Sequence, residues 1–90
     1  SEDKAYASIT HRAFPNPTSD QVAIAFDSPQ AESGWLLIFS SQGDMVSRLA
    51  ISRSQSEIVW RPDDDIANGT YFYQLKIGDR FGNGKIVLIK

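Results

Sequence analysis

The stretch Thr70-Tyr71-Phe72-Tyr73-Gln74-Leu75-Lys76-Ile77 decides the fold class. Tyr71, Tyr73, Leu75 and Ile77 recur at every second residue, against Thr70, Gln74 and Lys76. A period of two belongs to a strand, whose successive side chains leave opposite faces of a sheet. Phe72 breaks the pattern as an aromatic on the polar side, which makes it a candidate for an exposed recognition surface. Just upstream, Asn68-Gly69 supplies the positive-φ residues of a tight turn.

The same period extends outward in both directions. Downstream, residues 78–84 (Gly78-Asp79-Arg80 to Asn83-Gly84) read as a hairpin loop in which Gly82-Asn83-Gly84 makes a flexible turn. Residues 84–89 then close the chain, with Ile86 and Leu88 alternating against Val87 and Ile89. Upstream, residues 57–61 put Ile58 and Trp60 on one face and Val59 on the other. A weaker pattern covers residues 45–51, with Val46, Leu49 and Ile51. Trp35-Leu36-Leu37-Ile38-Phe39 is short, continuously apolar and bounded by Gly34 and Gly43, so a central strand buried on both faces is expected there. Val22, Ile24 and Phe26 alternate as a half-buried strand, and residues 8–14 add an edge strand that ends at Pro15.

The punctuation agrees with this reading. Neither proline of Pro15-Asn16-Pro17 can donate to a ladder, so the segment stops a strand. Ser41-Gln42-Gly43-Asp44 is a turn, and Asp65 is expected to cap a single helical turn over residues 66–68. About seven short strands at this spacing predict an all-β, Ig-like antiparallel sandwich. It forms one domain over residues 9–90, preceded by a linker or N-terminal extension over residues 1–8.

Composition narrows the function. The 90 residues contain no cysteine, so stability rests on apolar burial and backbone pairing, for which 41% hydrophobic and 11% aromatic residues suffice. A net charge of −2 with both signs interspersed leaves no basic footprint for nucleic acid. No apolar run approaches the ~20 residues of a membrane-spanning helix. The polar start Ser-Glu-Asp-Lys-Ala-Tyr is no secretory signal peptide, so the chain is either cytosolic or a piece of a longer precursor.

Catalytic chemistry has few candidates. His11 is the only histidine, and no glycine-rich elbow surrounds a serine, so His11 reads as an exposed polar residue on an edge strand. No glycine-rich phosphate cradle occurs. Asp63-Asp64-Asp65 offers carboxylates for calcium but lacks alternating ligands and a bidentate Glu, and reads as a solvated loop. Trp35, Trp60, Tyr71, Phe72 and Tyr73 suit a sugar-stacking platform, yet most alternate in step with their strands and read as packing residues. No catalytic, cofactor-binding or metal-ligating residue is expected, and no enzyme.

Three ordered features carry a family resemblance. Phe14-Pro15-Asn16-Pro17-Thr18-Ser19-Asp20 follows the first strand, and Ser41-Gln42-Gly43-Asp44-Met45-Val46 follows a buried one. Ile66-Ala67-Asn68-Gly69-Thr70-Tyr71-Phe72-Tyr73-Gln74-Leu75 then precedes the closing Gly84-Lys85-Ile86-Val87-Leu88-Ile89-Lys90. Together they resemble the type A C-terminal sorting domain of the type IX (Por) secretion system of Bacteroidetes, over residues 9–90. Leu37 and Ser40 depart from the usual pattern, which points to a further buried or protein-contacting face.

The resemblance implies a role without chemistry. Such a domain folds in the periplasm, is recognised by the type IX translocon, and directs its upstream passenger across the outer membrane. A sortase-like cysteine protease at the cell surface then removes it and attaches the passenger to anionic lipopolysaccharide; some members are instead retained in that machinery. The matching recognition motifs are Pro15, Asn16 and Pro17, Gly43, the Gly69, Tyr71 and Phe72 segment, and Gly84, Lys85, Ile86, Val87, Leu88, Ile89 and Lys90. The last strand is expected to pair at a sheet edge, leaving its end and Lys90 available to a receptor. For Gly69 and Tyr71 the structural alternative, backbone freedom and core packing, stands beside recognition. Exposed edges leave a monomer or weak dimer. A carbohydrate-binding or adhesion module is the competing function, and a structural spacer is disfavoured by a chain ending at Lys90.

Overall fold

The computed structural model describes residues 8–27 and 32–90. Seven strands follow in chain order: β1 (His11–Phe14), β2 (Val22–Phe26), β3 (Gly34–Ser40), β4 (Met45–Ile51), β5 (Glu57–Trp60), β6 (Gly69–Ile77) and β7 (Arg80–Leu88). They build two antiparallel sheets, β1-β2-β5 and β4-β3-β6-β7, packed as a sandwich. The expected linker lies outside the described residues except for Ser8, which already bridges Phe81 of β7.

Alternation decides which residues face inward. Val22, Ile24 and Phe26 of β2 and Ile58 and Trp60 of β5 are buried against Tyr71, Tyr73, Leu75 and Ile77 of β6. Leu36, Ile38, Ile86 and Leu88 complete the four-stranded side, all without exposed surface. Each such aliphatic side chain contributes roughly 1.5–3 kcal/mol on burial, which is what a cysteine-free domain of this size depends on.

Three sequence expectations about strands and turns change here. The apolar run of β3 is not buried on both faces: Leu36 and Ile38 enter the core, while Trp35 on the other face is 41% exposed. No strand or helix of the described residues covers that outer face. The second change concerns the β6–β7 connection. It is a tight turn at Gly78-Asp79 with Ile77 opposite Arg80, so Gly82, Asn83 and Gly84 belong to β7 and not to a loop. Finally, residues 63–66 form a hydrogen-bonded turn, Ile66 N–H to the Asp63 carbonyl at 3.0 Å, and no helical turn is present at Asp65.

The glycines of β7 have a packing reason. A Cβ on Gly84 would lie 2.3 Å from Cζ of Tyr73, and one on Gly82 would lie 2.7 Å from Cδ2 of His11. Both rings therefore lie against bare β7 backbone. His11, expected to be exposed, is half-buried: its Nδ1 sits 2.8 Å from the Tyr73 hydroxyl, and the rings meet edge to face at 5.5 Å. This contact joins the edge strand of the smaller sheet to the core of the larger one.

Two measurements follow from this packing. Gly84→Ala forces the Tyr73 ring aside and is expected to lose about 1–3 kcal/mol of stability in urea unfolding; an unchanged midpoint would contradict the contact. Burial also raises the Tyr73 phenol above its ordinary value of 10.0. The native state then holds that proton more tightly than the unfolded chain. The associated stability is complete below the unfolded value of about 10 and is lost as pH rises through the raised native value. Urea titrations from pH 8 to 11 should show that fall, and Tyr73→Phe should flatten it.

Candidate recognition surface

The sheets pack so that three separated stretches meet at one end of the sandwich. β7 is an outer strand of its sheet, and antiparallel pairing with β6 directs the backbone groups of every second residue outward. The segment after β1 covers much of that edge. Asn16 reaches across with its carboxamide: Nδ2 donates to the Lys85 carbonyl at 2.7 Å, and Oδ1 accepts from Val87 N–H at 2.9 Å. Its side chain thus makes the pair of bonds that a neighbouring strand would make. Two residues on, Thr18 N–H donates to the Val87 carbonyl and its own carbonyl accepts from Ile89 N–H, both at 2.8 Å.

The local chemistry of residues 14–18 suits this task. Both X-Pro bonds, Phe14-Pro15 and Asn16-Pro17, are cis. Pro15 and Pro17 have no N–H to leave unpaired, so the only side chain able to mimic a strand between them is Asn16. Thr18 is the one buried polar residue of the described chain. Its hydroxyl is satisfied locally, donating to the Gln21 carbonyl and accepting from Asp20 N–H. Sequence reasoning missed Thr18 as a site residue; the signal was a threonine two residues before an aspartate directly after a proline, a Ser/Thr-turn pattern.

The second stretch surrounds the start of β6. Gly69 has φ 152°, and a Cβ there would meet nothing within 4 Å, so the backbone and not space requires glycine. Tyr71 is buried, its hydroxyl donates to the Ala67 carbonyl at 2.6 Å, and its ring meets Trp60 edge to face at 5.7 Å. Both observations match the structural alternative for this pair.

Lys90 ties the third stretch to the second. Its backbone N–H donates to Oδ1 of Asn68 at 2.9 Å. Its ammonium donates to the carbonyls of Asp63, Asp64 and Ile66 at 3.0, 3.1 and 2.6 Å. An ammonium has three donors, and all three are engaged. Lys90, expected at the end of the strand within reach of a receptor, is exposed and at the same time anchored. Among the described residues no three His, Asp or Glu side chains gather as a metal-holding group. The cation that the 63–66 turn holds is the protein's own.

The remaining predicted residues divide by face. Ile86 and Leu88 point into the core, whereas Lys85, Val87 and Ile89 lie on the outward side, with Ile89 55% exposed. The Gly43 turn lies at the same end. Gly43 has φ 91° and donates to the Ser40 carbonyl, and Ser40 pairs with Tyr71. A shallow groove separates Ser40 and Gln42 of that turn from Ala67 and Gly69. Phe72 stands apart, on the outer sheet face opposite Lys85 of β7.

The two anchors should differ in weight. Asn16→Ala removes both bonds that close the β7 edge and is expected to cost about 1–2 kcal/mol in urea unfolding. Lys90→Ala removes an exposed ammonium and is expected to cost less than about 1 kcal/mol. Equal losses, or none at Asn16, would contradict the assignment of the edge closure to Asn16.

Comparison with known proteins identifies the family. A family model described as a secretion system C-terminal sorting domain matches residues 12–90. No curated protein matches the chain. The matched span takes in all seven strands but for the first residue of β1, and every one of the motif residues that converge on the end of β7. The chain belongs to the family of C-terminal sorting domains of the type IX secretion system, which mark proteins for export to the cell surface or beyond.

Proposed function

We propose that the translocon reads this domain in its folded form, at the end of the sandwich where the 15–18 segment, the start of β6 and residues 85–90 meet. The observation that carries the reading is that convergence: Asn16 and Thr18 bind β7, and Lys90 binds the 63–68 turn. Motifs scattered over the sequence become one surface only after folding. A rigid sandwich supplies such a surface without any catalytic group, and recognition then needs shape and exposed residues such as Lys85 and Ile89, with Val87 half-buried between them.

In this reading the passenger lies upstream in the same chain and crosses the periplasm with the domain folded. The translocon takes it across the outer membrane, and a sortase-like cysteine protease at the surface removes the domain and joins the passenger to anionic lipopolysaccharide. Gly69 and Tyr71 act by shaping the corner, Gly69 through its backbone and Tyr71 through the core.

A periplasm-targeted fluorescent protein fused to residues 1–90 tests this in a Bacteroidetes host with and without a working translocon. The fusion is expected at the surface or in the medium only when the translocon works, and a version lacking residues 85–90 is expected to stay inside. Tyr71→Phe should export in proportion to its remaining folded fraction. Periplasmic retention of the folded, complete fusion would overturn the reading.

A further inference from the structure

The outer face of the four-stranded sheet has a composition that neither the core nor the β7 corner uses. None of the chain's 11 Asp and Glu residues falls in β3, β4, β6 or β7, although the net charge is −2. The same four strands carry Arg48, Lys76, Arg80 and Lys85. By register, Arg48, Lys76 and Lys85 emerge on the outer face, beside Trp35, Phe39 and Phe72. Trp35, Met45 and Phe72 are 41%, 52% and 45% exposed.

Cations and rings interleave across the face. Phe72 stands between Phe39 of β3 and Lys85 of β7, and Lys76 stands between Trp35 and Phe81. The Arg48 guanidinium lies 4.7 Å from the Trp35 ring centroid, and the Lys76 ammonium lies 6.0 Å from that of Phe81. Such stacking fixes the rings in place before any partner arrives and lowers the ordering cost of binding. Exposed Trp, Phe, Met and Arg beside one another form the composition of a protein–protein contact centre. The interleaved cations, with no carboxylate on any of the four strands, select the charge of what docks there.

We propose that this face is a docking surface for a protein partner whose contact region interleaves apolar and acidic side chains. The proposal rests on the sorting reading and assigns that partner to the export machinery. The chemistry favours a protein over an acidic glycan. Leu37 and Met45 fill the space beside the rings with aliphatic surface, which a protein patch matches and a hydroxyl-rich sugar does not. The docking face adjoins the β7 corner through Lys85, which pairs with Phe72 on the outer side while its carbonyl is held by Asn16.

The fluorescent fusion described above tests this with two double charge reversals. One, Arg48→Glu/Lys76→Glu, inverts the face without touching the β7 corner. The other, Arg12→Glu/Arg53→Glu, makes the same net change elsewhere. Both are checked for folding by thermal melting, and Phe72→Ser serves as an uncharged variant. The face reversal and Phe72→Ser are expected to lower export at least tenfold while the control reversal exports like the original. Export of the original together with undiminished export of the folded face variants would overturn the docking face and leave the sorting reading intact. Failure of the original fusion to export would instead overturn the sorting reading and the inference with it. Dextran sulfate distinguishes the partner class: retention of the isolated chain at physiological salt, lost on face reversal, would overturn the protein partner in favour of an acidic glycan.

Discussion

The closure of the β7 edge by Asn16 and Thr18 is the constraint on which the rest of the structure depends. An outer strand presents a row of unpaired N–H and C=O groups, and a nine-residue one in a small domain invites pairing with other chains. Here the chain covers its own edge from both ends. Ile9 N–H reaches the Phe81 carbonyl near the start of β7, and Asn16 and Thr18 occupy its last third. The same bonds pull the N-terminal segment across from the smaller sheet and close one side of the sandwich. Without them, β7 would keep its pairing with β6 and Lys90 its bonds to the 63–68 turn, but the outer edge of the last residues would lie open.

That closure explains why a sorting signal can be built from residues 70 positions apart. In the proposed reading the information lies in a surface, and that surface exists only when β7 is seated. Anchoring of Lys90 to the carbonyls of the 63–66 turn extends the ordered region to the final residue. The two faces of the larger sheet then have distinct roles. Its inner face holds the core through Tyr73 and Leu75, and its outer face displays rings separated by cations. Stability and the proposed docking thus fall on alternate residues of the same strands, so that a change at Phe72 or Lys76 need not disturb Tyr73 or Leu75.

Much of this architecture is legible in the sequence because strand alternation is local. Tyr71, Tyr73, Leu75 and Ile77 announce β6 and its buried face, and Ile58 and Trp60 do the same for β5. The reading fails where alternation is missing or where distance matters. In β3 every residue from Trp35 to Phe39 is apolar, so no period tells the covered face from the open one. Gly82 and Gly84 resemble turn glycines, yet they leave room for the rings of His11 and Tyr73. Those rings come from β1 and β6, and no local pattern records them. Pro15-Asn16-Pro17 was legible as a strand terminator, while the bonds of Asn16 span 69 and 71 positions and appear only in the fold. Lys90 reads as a free end for the same reason.

Amide hydrogen exchange of the intact chain tests the central claim most directly, because it reads the β7 edge residue by residue. Val87 and Ile89 donate to Asn16 and Thr18, whereas outward-facing Asn83 has no backbone partner among the described residues. The account predicts that Val87 and Ile89 exchange as slowly as amides inside the β6–β7 ladder and that Asn83 exchanges far faster. If Val87 and Ile89 exchanged as fast as Asn83, the edge would be open, and the last strand would not belong to a preformed recognition surface.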